Sequence, residues 1–126
     1  MKKLLVLLFF LPLLAFAKGP EIKFERTTHD FGNVKEKGGR VTTTFTFTNT
    51  GDQPLVILSC KVACGCTKPS FPDAPVQPGE KGQITITYNP DGRPGEFDKK
   101  ITVKSNAKGQ STVTLKIKGC VIPSGK

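Results

Sequence analysis

Apolar and polar residues alternate along much of the chain. Val41, Thr43, Phe45 and Phe47 fall on one side of a run whose other side is Thr42, Thr44, Thr46 and Thr48. The same period of two recurs in four places. Ile22 and Phe24 stand among Glu21, Lys23 and Glu25, and Ile84, Ile86 and Tyr88 interleave with Gln83, Thr85 and Thr87. Phe97, Ile101 and Val103 oppose Asp98, Lys100, Thr102 and Lys104, and Val113, Leu115 and Ile117 interleave with Thr114, Lys116 and Lys118. Successive side chains of a strand point to opposite faces, so this pattern predicts antiparallel strands with one face buried. No stretch beyond the first 17 residues shows a helical period. The segment "PLVILSCKVA" differs, being apolar on both faces through Val56, Ile57 and Leu58. A strand covered on both sides, or a short buried helix, reads this way, and its β-branched content favours the strand.

Turn residues separate the runs, in "KEKGG", "NTGDQP", "PDAPVQPGEKG", "NPDGRPGE" and "SNAKGQ". Gly and Pro in each suit tight connections. About seven short antiparallel strands at this spacing predict an all-β, immunoglobulin-like β-sandwich. The expected core is Phe24, Val41, Phe45, Phe47, Ile57, Ile84, Ile86, Tyr88, Ile101, Val103, Leu115 and Ile117. The chain has no tryptophan, and the widely spaced Cys…Trp…Cys pattern of antibody domains is missing. The proline-rich stretch from Val62 to Pro78 reads as a loop. Residues 18–20 and 123–126 read as loose ends.

The first residues, MKKLLVLLFFLPLLAFA, change the picture. Two lysines, an apolar run from Leu4 to Leu14 and Ala15-Phe16-Ala17 form the pattern of a cleaved secretory signal peptide over residues 1–17. The apolar run is short for a membrane span, which needs about 20 residues, so no transmembrane segment is expected after removal. Residues 18–126 then form one domain. Loss of Lys2 and Lys3 leaves 17 basic residues against 10 acidic ones, a net charge of +7. Such a charge suits solubility or an acidic partner. A nucleic-acid partner is not expected, because there is no basic run or recognition helix. Export allows cysteines to pair, and the four present allow three complete connectivities.

Read in order, "FTNTGDQPLVI", "CGCTKP", "VQPGEKGQITITYNP", "GRPGEFDKKITVKSN" and "LKIKGCV" resemble the DUF1573 family of exported bacterial proteins. The resemblance spans about Phe24 to Val121. It implies a fold related in shape to major-sperm-protein and ASH-type immunoglobulin-like modules, and a periplasmic or cell-surface address. Cys64 and Cys66 match the family motif. Cys60 and Cys120 depart from it, where relatives carry an aliphatic and a polar residue.

Three chemistries compete for "SCKVACGCTKP". The C-x-C thiols of Cys64 and Cys66 suit a soft ion such as Cu(I). A closed zinc site wants four ligands, usually in C-x2-C knuckles, which this chain lacks, and His29 reads as a solvated loop residue. A dithiol oxidoreductase usually carries C-x-x-C at a helix start, although the small ring of a C-x-C disulfide favours reduction. The third reading is a structural disulfide involving Cys64 or Cys66. Cys60 reads as a core position that happens to carry sulfur, with Cys120 as a candidate companion. Strand parity places Cys120 on the polar side with Lys116 and Lys118 unless Gly119 forms a bulge.

Catalytic sets are missing: one histidine and no G-x-S-x-G leave no serine-hydrolase triad, and the acids scatter over turns. The chain therefore reads as a non-enzyme that implies no cofactor. Arg93, in "PDGRPGE", is a candidate for anion or partner binding. Lys100, Lys104, Lys116 and Lys118 are further candidates, projecting from one face if the last two strands are neighbours. The reading as a whole is an exported, non-catalytic binding or structural module, its partner an envelope protein or surface component. The alternative is a periplasmic thiol–disulfide or copper-binding protein built on Cys64 and Cys66.

Overall fold

A computed structural model describes residues 18–124. The leader expected over residues 1–17 lies outside them. Eight strands follow in order: β1 (Ile22–Phe24), β2 (Thr28–Lys35), β3 (Val41–Asn49), β4 (Ile57–Val62), β5 (Thr67–Ser70), β6 (Lys81–Tyr88), β7 (Gly95–Ser105) and β8 (Thr112–Ile122). They pair into two four-stranded sheets, ordered β1-β3-β6-β5 and β2-β8-β7-β4. This is the sandwich that the alternation predicts, with eight strands where about seven are expected. Pairing is antiparallel except between β2 and β8, which run parallel. A parallel pair needs a long crossover, and here it is the whole stretch from β3 to β7.

The inward faces are those the period of two marks out. Phe45, Phe47, Ile84, Ile86 and Tyr88 from one sheet meet Ile101, Val103, Leu115, Ile117 and Val121 from the other, all buried. Tyr88 stacks on Phe97 across the gap, with ring centroids 4.1 Å apart and planes 12° from parallel. Thr42, Thr44, Thr46 and Thr48 of β3 face outward, and Thr42 and Thr44 approach Thr87 and Thr85 at 3.2 and 3.4 Å between hydroxyls, whereas Thr43 is buried on the inner side. Phe24 and Val41, expected in the core, are only partly buried. Phe24 lies on β1, a three-residue edge strand, and Val41 begins β3.

Several local expectations are corrected. Leu58 is not covered; it is 60% exposed. Ile57 pairs with Ser105 and Ser59 with Lys104, so β4 uses two residues for one step of β7. This bulge sends Leu58 outward and returns Cys60 and Val62 to the inner face, opposite Val103 and Ile101. His29 lies in strand β2, not in a loop. The proline-rich segment contains strand β5, at a sheet edge where Pro69 needs no ladder donor. Residues 18–20 are tied down: Asp52 accepts the N–H groups of Lys18 (2.9 Å) and Gly19 (2.8 Å), and Pro20 O accepts from Lys108 N (2.8 Å).

Candidate functional site

The outer face of the β2-β8-β7-β4 sheet gathers most of the candidate residues. Register lines them up in rows across β2, β8 and β7: Thr28–Lys116–Lys100, then Asp30–Lys118–Asp98, then Asn33–Cys120–Glu96. Further along β7, Thr102 faces Lys61 of β4, and Lys104 faces Thr112 of β8. Lys100 and Lys116 are thus direct cross-strand neighbours of like charge, an arrangement that weakens a sheet. Lys116 leans along its strand toward Asp98, 3.7 Å from the carboxylate. Lys118 stands in register between two aspartates and belongs to a different environment from Lys100 and Lys104. The face therefore runs from basic at one end to acidic at the other. Lys61 joins the basic end, and only the β4 bulge, which reverses the parity after Leu58, reveals its direction.

The disulfide sits where the chain leaves this sheet for the other. β4 stays in register with β7 only as far as Val62↔Ile101. The turn Ala63–Cys66 then carries the chain across to β5, whose Thr67 pairs with Tyr88. Past the end of β4, an open cleft of about 510 Å³ forms beside β7, lined by Val62, Cys64, Thr67, Asp98, Lys99, Lys100 and Lys116 among others. Cys64 and Cys66 are joined by a disulfide. Cys66 is 3% exposed, whereas Cys64 is half-buried at the cleft. The turn is also held by backbone hydrogen bonds: Thr67 N donates to Cys64 O (3.1 Å) and Asn89 N to Cys66 O (2.8 Å). Cys66 N donates to Cys64 Sγ (3.0 Å), and Thr67 Oγ1 lies 3.5 Å from Cys66 Sγ. Chain entropy gives such a short ring only about 1.6 kcal/mol, less than the 2–4 kcal/mol typical of disulfides.

The other two cysteines are free. Cys60, opposite Val103, faces the core, and Cys120, in register with Asn33 and Glu96, faces outward, because Gly119 does not reverse the parity of β8. They lie on opposite faces of one sheet and are not companions. Burial pushes the Cys60 thiol up to about 11. Cys120 lines a second cleft, of about 600 Å³, with Asp30, Glu96, Asp98 and Lys118. Among the described residues, no three His, Cys, Asp or Glu side chains converge as a metal site requires. His29 accepts a hydrogen bond at Nδ1 from Arg26 Nη1 (3.1 Å), and burial followed by that guanidinium lowers its pKa. Arg93 is engaged within its own turn, donating to Asp91 O (3.2 Å) and, from its backbone, to Pro90 O (3.0 Å).

One central residue carries no chemical motif in the sequence. Asn49 is fully buried. Its Oδ1 accepts from Gly51 N (2.9 Å) and, more distantly, Glu21 N (3.4 Å), and its Nδ2 donates to Gln53 O (2.7 Å) and Val76 O (2.9 Å). It fastens β1, the "NTGDQP" turn and the proline-rich loop to one point. Its parity, shared with Phe45 and Phe47, was the available signal.

The family described as "Protein of unknown function (DUF1573)" matches residues 22–121. No curated protein matches the chain. Among solved structures, the chain is similar to a protein of unknown function from Porphyromonas gingivalis W83, with TM-score 0.72 and 16% identity over 86% of this chain. The chain spans 50% of that protein's length. It is also similar to the ASH/PapD-like domain 7 of human CEP192, with TM-score 0.62 and 13% identity, covering 98% of this chain and 100% of that domain. A third similar structure is the E. coli chaperone DraB, with TM-score 0.57 and 17% identity over 86% of this chain and 58% of that one. At these identities the likeness is one of fold.

Proposed function

The chain belongs to the DUF1573 family, and we propose that it is an exported, non-catalytic binding module of the bacterial cell envelope. Its partner on this reading is an acidic envelope protein or surface component. The observation that carries the reading is the Lys100↔Lys116 pair. Folding alone gains nothing from setting two lysines side by side at the middle of the β7–β8 ladder. An anionic partner would offset their repulsion and gain from Lys61 and Lys104 on the same face. The leader pattern of residues 1–17 and the net charge of +7 left once it is removed support the location and the sign of the partner.

The test is cross-linking in intact envelopes, comparing the native chain with a Lys100→Glu/Lys104→Glu double variant. The native chain should capture a defined acidic component, with capture weakening as salt rises. The double variant should lose it. Equal capture by both, or none by the native chain beyond a charge-matched control, would overturn the reading.

A further inference from the structure

We propose that the Cys64–Cys66 disulfide exchanges with thiols, that Cys64 is the sulfur attacked, and that the preferred partners are thiols carrying negative charge. This goes beyond the binding role and stands on a different observation, the placement of the ring at a lysine-lined cleft. Four features of that placement agree. The two sulfurs differ in access: Cys64 meets the cleft, and Cys66 is buried. The cleft wall carries Lys99, Lys100 and Lys116 against one carboxylate, Asp98. An approaching thiolate, above all one with carboxylates beside it, is concentrated there by the field of these cations.

Each sulfur also has a donor for the charge it would carry. Attack on Cys64 breaks the S–S bond and leaves Cys66 as a thiolate. Thr67 Oγ1, 3.5 Å from Cys66 Sγ, can turn its proton toward it. Once Cys64 is released, the Cys66 N–H, 3.0 Å from Cys64 Sγ, serves its thiolate in the same way. The turn itself does not depend on the ring, since backbone hydrogen bonds to Cys64 O and Cys66 O hold it. Opening the disulfide therefore leaves β4, β5 and the sandwich in place.

The step balances as ordinary thiol–disulfide exchange. A substrate thiolate bonds to Cys64 Sγ, and Cys66 departs with the electron pair of the broken bond and takes up a proton. A second substrate thiolate attacks the first substrate sulfur, releasing a substrate disulfide and leaving Cys64 to be protonated. Two substrate thiols are oxidised and the protein disulfide is reduced. In reverse, a substrate disulfide is the oxidant that closes the ring.

Reduced glutathione is the anionic probe and cysteamine the cationic one, each referred to its own rate with a small model disulfide. With no other disulfide described in the chain, an adduct formed from a reduced thiol marks this ring. After acid quenching, peptide mass spectrometry should find the glutathione adduct on Cys64. Glutathione should outpace cysteamine by roughly fivefold or more at low salt. High salt should shrink that advantage, as should Lys100→Gln. A Thr67→Val variant, which keeps the shape and removes the hydroxyl, should slow ring opening; its thermal melt separates this from misfolding. The proposal fails if excess dithiothreitol leaves the disulfide intact in the folded protein. It fails equally if adducts fall on Cys66, or if the charge of the thiol makes no difference.

Discussion

At the scale of single residues, the same side-chain type takes on different chemistry through its position. Cys60 and Cys66 are both turned inward, yet one is a free thiol on a strand and the other half of a ring. Burial favours the neutral form of Cys60 and raises its pKa to about 11. The unfolded chain gives up that proton near pH 8.5. Stability tied to the protonated thiol is therefore present below pH 8.5 and drains away as pH climbs toward 11. Urea midpoints measured between pH 8 and 11 should fall for the native chain and fall less for Cys60→Val. Alkylation of Cys60 should keep accelerating over that interval, and a plateau below pH 9 would contradict the assigned environment. The family resemblance implies an aliphatic residue at the position of Cys60, and its inward turn agrees with that expectation. Asn49 is legible only in part: its parity with Phe45 and Phe47 turns it inward, but nothing in "FTNTGDQ" gives the backbone groups that satisfy both ends of its amide there.

At the scale of elements, legibility followed the length of unbroken alternation. β3, β6, β7 and β8 are plain because each carries at least three apolar residues on one side of a strand of eight residues or more. β2 leaves no clear period because a register shift between Asp30 and Asn33, with Gly32 at positive φ, interrupts its pattern. β4 reads as apolar on both faces because one extra residue at its bulge shifts the parity between Ile57 and Ser59. The lysine face belongs to this scale, since only the pairing of β7 with β8 makes neighbours of residues 16 apart in sequence. Its repulsion gives a prediction independent of any partner. Lys100→Glu places a carboxylate beside Lys116 and should stabilise the isolated protein by about 0.2–1 kcal/mol, read as a small rise in the urea midpoint at low salt. The same substitution should weaken partner capture. Stability and binding moving in opposite directions would mark the face as kept for recognition; a loss of stability would mean that Lys100 serves the fold.

At the scale of the whole molecule, what joins the two sheets decides how the cleft is held. The Tyr88–Phe97 stack spans the gap close to the site: Tyr88 pairs with Thr67, and the next residue, Asn89, bonds Cys66 O. Phe97 precedes Lys99 and Lys100 of the other wall by two and three residues along β7, and Phe31 packs at 6.4 Å from its ring. Phe97 also fills space over Gly119, where a methyl group would meet its ring edge at 2.9 Å. Truncating it empties the junction on which both walls of the cleft rest. Phe97→Ala should cost about 3–5 kcal/mol, a large share of the 5–15 kcal/mol usual for a domain, with Phe97→Leu costing clearly less. Urea unfolding provides the measure, with an unchanged slope showing that the denatured state is not the cause. A cost near zero for the alanine variant would mean that the sheets are held together elsewhere. The stack would then have no part in setting the distance between the buried Cys66 and the lysines across the cleft.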